Sequence, residues 1–339
     1  MSRRLLVAMT MLVGALTLGS SQPRATQAPT PDAGGAQTQH SPVAQTWKAP
    51  RTPWGAPDLA GVYTNNDEAL VPLERPPEFS GRRIEDFSPH ELDEINRQRT
   101  ARFNQTLVGF GSTLFAGAFE RRNSRPWLIV DPPDGQVPPL TAEAQQRMRR
   151  VTRGLSSNII PDGPFSGYED LGLYDRCITR GIPDSMMPVG YGSNYEISES
   201  SDFVAIRYEM IHEVRVIPVH SQPHVGAGLR LDLGDPRGRW EGETLVVEST
   251  NFASRSAFRG ATDRLRLTER FTPTAQGVLE WRVTVNDPYT WTRPWTFVST
   301  LIKKDDSQRI YEYACHEGNY SLTNILTGAR GADHTRTEQ

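Results

Sequence analysis

Near its C-terminal end the chain carries Glu312-Tyr313-Ala314-Cys315-His316-Glu317-Gly318-Asn319, a run that brings carboxylates, a thiol and an imidazole together. A thiol beside an imidazole and close to a helix N-terminus can ionise at neutral pH and act as a nucleophile. Glu312 and His316 lie four apart and share a face if the strand pattern before them continues. A carboxylate that orients an imidazole and raises its pKa is an arrangement for general acid–base work, and Glu317 adds a further carboxylate at the same place. The competing role for Cys315 is structural. The chain has one other cysteine, Cys177, and in an exported protein an isolated pair is more often bonded than free. A bond between residues so far apart stabilises by about 4–5 kcal/mol at best, because it removes loop freedom from the unfolded chain.

Three further groupings bear on chemistry. In 265–271 the face that holds Leu265, Leu267 and Phe271 also holds Glu269. A carboxylate among apolar neighbours must be paired or carry a raised pKa. An arginine on a neighbouring strand would pair it, or a bulge would turn it outward. Trp291, Arg293 and Trp295 crowd into 287–295, and 235–242 also mixes arginine with tryptophan. Such groups stack on one another and bind sugars or carboxylates, while the alternative is a pair of rigid turns braced by Arg–carboxylate bridges. His212, His220, His224 and His316, with Glu213 and Glu317, are metal-ligand types. They show no short ligand spacing, and Pro218 and Pro223 argue against a helix that would align His220 with His224, so solvated loop histidines and no metal are expected. Gly109-Phe110-Gly111 lacks the third glycine and the βαβ unit of a dinucleotide loop, and no cofactor is expected.

The elements that must position these residues are mostly strands. Alternation or β-branched enrichment predicts strands at 194–198, 203–209, 212–219, 244–249, 265–271, 279–285, 295–302 and 309–315, joined by short polar turns. In 279–285, Leu279, Trp281, Val283 and Val285 share one face. Eight strands joined mainly as neighbours predict an antiparallel barrel, because closure removes exposed edges. Residues 53–190 read instead as an irregular, partly helical extension that wraps the barrel. Helices are expected at 88–102, capped by Ser88 with Glu91, and at 141–153, capped by Thr141. After Cys315, Leu322, Ile325, Leu326 and Ala329 recur at helical spacing behind Asn319 as cap, which predicts a short C-terminal helix.

The organisation along the chain follows from composition. Residues 1–21 have the charge, short apolar run and small polar end of a secretory signal peptide, and no cysteine precedes Cys177 to carry a lipid anchor. Residues 22–52 are a Pro-, Ala-, Gln- and Thr-rich linker that cannot bury enough surface to order itself. Residues 53–190 hold the first strand and the wrapping segment, and 191–332 the barrel with its helix. A net charge of −3 and the absence of a basic block exclude electrostatic capture of nucleic acid.

Several pieces together resemble a family of uncharacterised secreted bacterial proteins: Pro57-Asp58-Leu59-Ala60-Gly61-Val62-Tyr63, Asp131-Pro132-Pro133-Asp134-Gly135, residues 234–252, Glu269-Arg270-Phe271, 287–295 and 315–319. The resemblance brings no activity with it. Gly61-Val62-Tyr63 is also similar to the Gly-x-aromatic opening of lipocalin-like barrels, which implies a first strand there and a long insertion after it. The expected function is an exported barrel that binds a small, partly apolar molecule in its cup, with Glu269, Arg215, Trp281, Trp291, Arg293 and Trp295 as contacts. The alternatives are a secreted hydrolase, lyase or isomerase that uses Glu312, His316 and Glu317 at the barrel mouth, and a structural or interaction protein of the cell envelope.

Overall fold

The computed structural model describes residues 47–106, 125–153, 159–161, 165–190, 192–220, 222–305 and 307–337. The expected signal peptide, all but the last residues of the expected linker, and Gly109-Phe110-Gly111 lie outside them. In chain order the elements are β1 (Gly61–Thr64), α1 (Pro89–Thr106), β2 (Ile129–Asp131), α2 (Ala142–Arg147), β3 (Val151–Arg153), β4 (Ile159–Pro161), β5 (Asn194–Glu199), β6 (Phe203–Tyr208), β7 (Val214–Pro218), β8 (Asp235–Glu241), β9 (Thr244–Thr250), β10 (Arg266–Ala275), β11 (Val278–Asn286), β12 (Trp295–Lys303) and α3 (Tyr320–Thr337). The local signals act as expected. Ser88 Oγ accepts the Glu91 amide at 3.2 Å to start α1, and Thr141 Oγ1 accepts the Ala144 amide at 3.1 Å to start α2.

The fold is mainly β, built on a nearly closed antiparallel barrel. Nine strands follow the order β7-β6-β5-β1-β12-β11-β10-β9-β8, and β2 adds to one edge of β12. The two ends of this path approach without a shared ladder. A Cβ on Gly238 of β8 would stand 2.9 Å from Ile217 Cγ2 and 3.3 Å from the Pro218 carbonyl of β7, so the seam needs a residue without a side chain.

Two strand expectations are corrected. Residues 309–315 form no strand. One edge of β12 is taken by β11, and the other is divided between β2, which pairs Ile129 with Phe297, and β1, which pairs Tyr63 with Lys303. No place in the ladder remains for a following strand. Conversely, 235–242 is no turn but β8, paired along its length with β9. Its Asp-Pro-Arg-Gly opening reads as a turn locally, and pairing overrides that preference. The barrel thus takes β1 from the extension, as the Gly61-Val62-Tyr63 similarity implies. The helix expected over 141–153 ends at Arg147, because 151–153 pairs as β3 with β4.

Period two sorts the long strands as expected. Leu279, Trp281, Val283 and Val285 are at most 1% exposed, and so are Leu267, Phe271 and Glu269. The Glu269 carboxylate is indeed paired by an arginine, but not one on a neighbouring strand. Arg215 reaches it from β7, with Nη2 donating to Glu269 Oε2 at 2.5 Å and to Ser249 Oγ at 2.6 Å. Trp281 Nε1 donates to Glu269 Oε1 at 3.2 Å. Burial works against the Arg215 charge, yet Glu269 and Tyr208 together raise its pKa above the ordinary arginine value. The aromatic layer around the pair, Phe271, Trp281, Phe297 and Trp295, has ring centroids 5.4–6.4 Å apart.

Removing either partner strands the other charge in the core. Arg215→Met and Glu269→Gln are each expected to lose about 3–5 kcal/mol of stability. The double variant Arg215→Met/Glu269→Gln should lose clearly less than the two combined, because no uncompensated charge remains. Urea unfolding of the four proteins checks this, and additive losses would show that the two groups do not act as a pair.

Candidate functional site

The barrel interior at the level of Glu269 is closed. Glu269, Arg215, Trp281 and Trp295 are 0–2% exposed, so as placed they brace the core and line no opening. Trp291 is also buried; its backbone bridges to Leu140, and its ring lies 5.7 Å edge-on from Trp295. Arg293 is exposed and pairs with Asp131 at 3.1 Å, which is the braced-turn alternative.

Open space lies instead at both ends of the barrel, with a cleft of about 560 Å³ by the β10–β11 turn and another at the end where β9 stops and β10 starts. Residues 171–187 pack there without strand or α-helix, burying Leu171, Leu173, Cys177, Ile182 and Met186. Asn65 Nδ2 donates to the Met186 carbonyl at 2.8 Å, and Thr179 Oγ1 donates to Glu213 Oε2 at 2.8 Å. Gly181 has φ 73°, and a Cβ there would stand 2.9 Å from the Ser256 carbonyl, so this close approach requires glycine.

Between this plug, the end of α2 and the 254–263 connection lies a cleft of about 490 Å³, within the usual size for a small-molecule site. Buried Leu171, Leu173 and Ala261 supply apolar lining, with Met148 beside them. The charged groups of the wall differ in what already holds them. Arg255 makes a two-pronged bridge to Asp232 at 2.9 and 2.8 Å. Asp263 is held by Arg230 at 2.9 Å. Arg147 Nη2 donates to the neutral Gly260 carbonyl at 3.1 Å and to Thr290 Oγ1 at 3.0 Å. The half-buried Arg176 has no side-chain hydrogen bond or ion pair among the described residues.

The backbone that presents Arg176 is heavily tied. The Arg176 amide donates to Gly172 O at 3.2 Å, Cys177 N to Tyr174 O at 3.0 Å and Ile178 N to Leu173 O at 2.9 Å. Cys177 and Cys315 form a disulfide, with sulfurs 2.02 Å apart. Asn319 Nδ2, just before α3, donates to Asp175 O at 3.1 Å. The segment 312–319 therefore clamps the cleft-lining turn. This is the structural role expected for Cys315 and removes the nucleophile alternative, since a bonded sulfur is no thiolate. The expected Glu312–His316 pair is not assembled either. Without a strand over 309–315 the two residues share no face; both are exposed, and no hydrogen bond or ion pair joins them. Glu317 lines a separate cleft of about 370 Å³ beside the disulfide, with Tyr174 and Asp175.

The candidate histidines His212, His220, His224 and His316 lie in or beside loops. His220 pairs with Asp202, and His224 Nδ1 lies 2.9 Å from Asp235 Oδ2. His212 precedes β7 with φ 58°. Among the described residues no group of three or more His, Cys, Asp or Glu side chains is placed to hold a metal. Sequence reasoning missed Arg176, Leu171, Leu173, Arg147 and Arg255. The one signal available was that Arg176 adjoins Cys177.

Two half-buried carboxyls carry unusual pKa values. Burial pushes Glu213 up from 4.5 to about 7; the Thr179 hydrogen bond opposes this, and Asp232 adds to it. Burial likewise pushes Glu199, at the opposite end of the barrel, to about 7, against the hydrogen bond from the Leu59 amide and with the help of Asp58. A carboxyl whose folded pKa is raised holds its proton longer in the folded state. Its contribution is complete below the unfolded value and is lost as pH rises through the folded one. Thermal unfolding should therefore show stability falling between about pH 4.5 and 7. Glu213→Gln and Glu199→Gln should each flatten that fall; an unchanged profile in both would dissociate the two carboxyls from it.

The disulfide closes a sequence separation of 138 residues, and of the described helix side chains in α3 only Leu326 is buried. Cys177→Ser/Cys315→Ser is expected to lower stability by up to about 4–5 kcal/mol. It should also open the chain to protease between 304 and 320 before the barrel melts. Mass mapping of early fragments checks this, and first cuts elsewhere would count against it. Among known proteins, no family model matches this chain and no curated protein matches it.

Proposed function

We propose that this protein is exported, like the secreted proteins its 234–252, 287–295 and 315–319 motifs resemble, and that it holds one small, partly apolar molecule. The ligand sits at the end of the barrel, not in its interior, which is filled by Arg215, Glu269 and the tryptophans. The observation that carries this is the cleft of about 490 Å³, with apolar Leu171, Leu173 and Ala261 in its lining and charged groups around them. A concave apolar surface with a few convergent polar groups is the usual form of a ligand site. Export is supported by the Cys177–Cys315 bond, since such bonds persist in oxidising compartments. Among the described residues no helix is long and apolar enough to cross a membrane.

A neutral fluorescent probe, N-phenyl-1-naphthylamine, tests this. It should bind saturably to a single site. Ser254→Trp, which places a large ring in the cleft from an exposed position, should weaken binding more than about tenfold, or about 1.4 kcal/mol, without lowering the melting temperature. Equal binding by both proteins, or none by the wild type, would refute the proposal.

A further inference from the structure

We infer that the ligand of this cleft is a monocarboxylate with an apolar body, its carboxylate held by Arg176; the inference rests on the binding role proposed above. The charge count of the cleft supports it. Arg255 is neutralised by Asp232, and Asp263 by Arg230, with the exposed Arg264 a looser partner at 3.9 Å. Among the described residues, three ionised side chains of the lining stand outside any ion pair: Arg147, Arg176 and Glu169. Those three leave one net positive charge, which suits a monoanion better than a dianionic phosphate.

Of the two cations, Arg147 is exposed and already donates through Nη2 to Gly260 O and Thr290 Oγ1. Arg176 is half-buried and has none of its guanidinium donors engaged by a described residue. A partly desolvated guanidinium without an acceptor gains most from a planar, two-oxygen partner, because both prongs of the fork are then used. Leu171 and Leu173 share its chain segment and line the same cleft, so a molecule gripped by Arg176 lays its apolar part against them. The turn is also pre-organised. The Cys177–Cys315 bond beside Arg176 and the Asn319 contact to Asp175 hold the backbone before any ligand arrives, which lowers the ordering cost of binding.

Displacement of N-phenyl-1-naphthylamine by decanoate, 1-decanol and decyl phosphate at pH 7.5 separates this inference from the one beneath it. Decanoate should displace the probe at least about tenfold better than 1-decanol, and decyl phosphate should gain nothing over decanoate. In Arg176→Met the acid and the alcohol should become equal while probe binding persists, which also shows that the variant is folded. Arg176→Lys, which keeps the charge without the fork, should retain part of the preference and serves if Arg176→Met does not fold. Equal displacement by acid and alcohol in the wild type, a preference that survives Arg176→Met, or a clear advantage of decyl phosphate would each overturn the carboxylate assignment and leave the binding role standing. Failure of every compound to displace a bound probe would remove both.

Discussion

The ion pair between Arg215 and Glu269 is the constraint around which the barrel is arranged. The sheet path begins at β7 and ends at β8, and these two strands share no ladder. Backbone hydrogen bonds therefore do not join the ends. Arg215 does so by side chain, reaching past β8 to Ser249 on β9 and Glu269 on β10. A buried carboxylate left unpaired is costly, and so is a buried guanidinium. The two groups consequently demand one another, and only a closed sheet brings them together. Gly238, at the point where β8 meets Ile217 and Pro218, lets the seam come close enough.

That solution has a consequence for function. A core that holds the ion pair together with Trp281, Trp295, Tyr195 and Tyr208, all fully buried, has no cup to offer at that level. Recognition moves to the barrel end, where long connections and a plug without regular structure meet. Loops mounted on a rigid scaffold are where binding surfaces usually form. Here the loop is not left to its own entropy. The 171–187 plug is hydrogen-bonded to the end of β1 and the start of β7, and it is joined covalently to the segment before α3. The segment 312–319, rich in reactive side-chain types, thus serves the cleft by holding the turn beside it, and its own imidazole and Glu312 face solvent.

The raised pKa values of Glu213 and Glu199 follow from the same economy of space. Both sit at barrel ends, where extended chain packs over strand termini and removes water from carboxyls that, among the described residues, have hydrogen-bond donors but no cation to compensate. The ends of this barrel are therefore its electrostatically soft places, whereas the interior pair is matched.

Much of the barrel was legible in the residues alone. Seven of the eight expected strands are present, the inward faces of β10 and β11 follow their alternation, and Ser88 and Thr141 cap their helix starts because capping chemistry is local. The cysteine pair was legible because only two cysteines exist. Local pattern does not choose partners, however. Period two placed Glu269 inward but said nothing of which arginine would meet it, and the answer lay at the far end of the sheet. Alternation also suggested a strand over 309–315 where the ladder had no room, and composition hid β8, whose pairing with β9 outweighed its turn-like opening. The cleft was the least legible feature. Arg147, Arg176 and Arg255 come from separate stretches with no shared spacing, and only tertiary packing sets them around one space. Sequence by itself determined which residues turn inward and where elements begin. The tertiary structure alone decided which of them meet, because a contact between distant segments depends on the closure of the whole sheet and on no property of either segment alone.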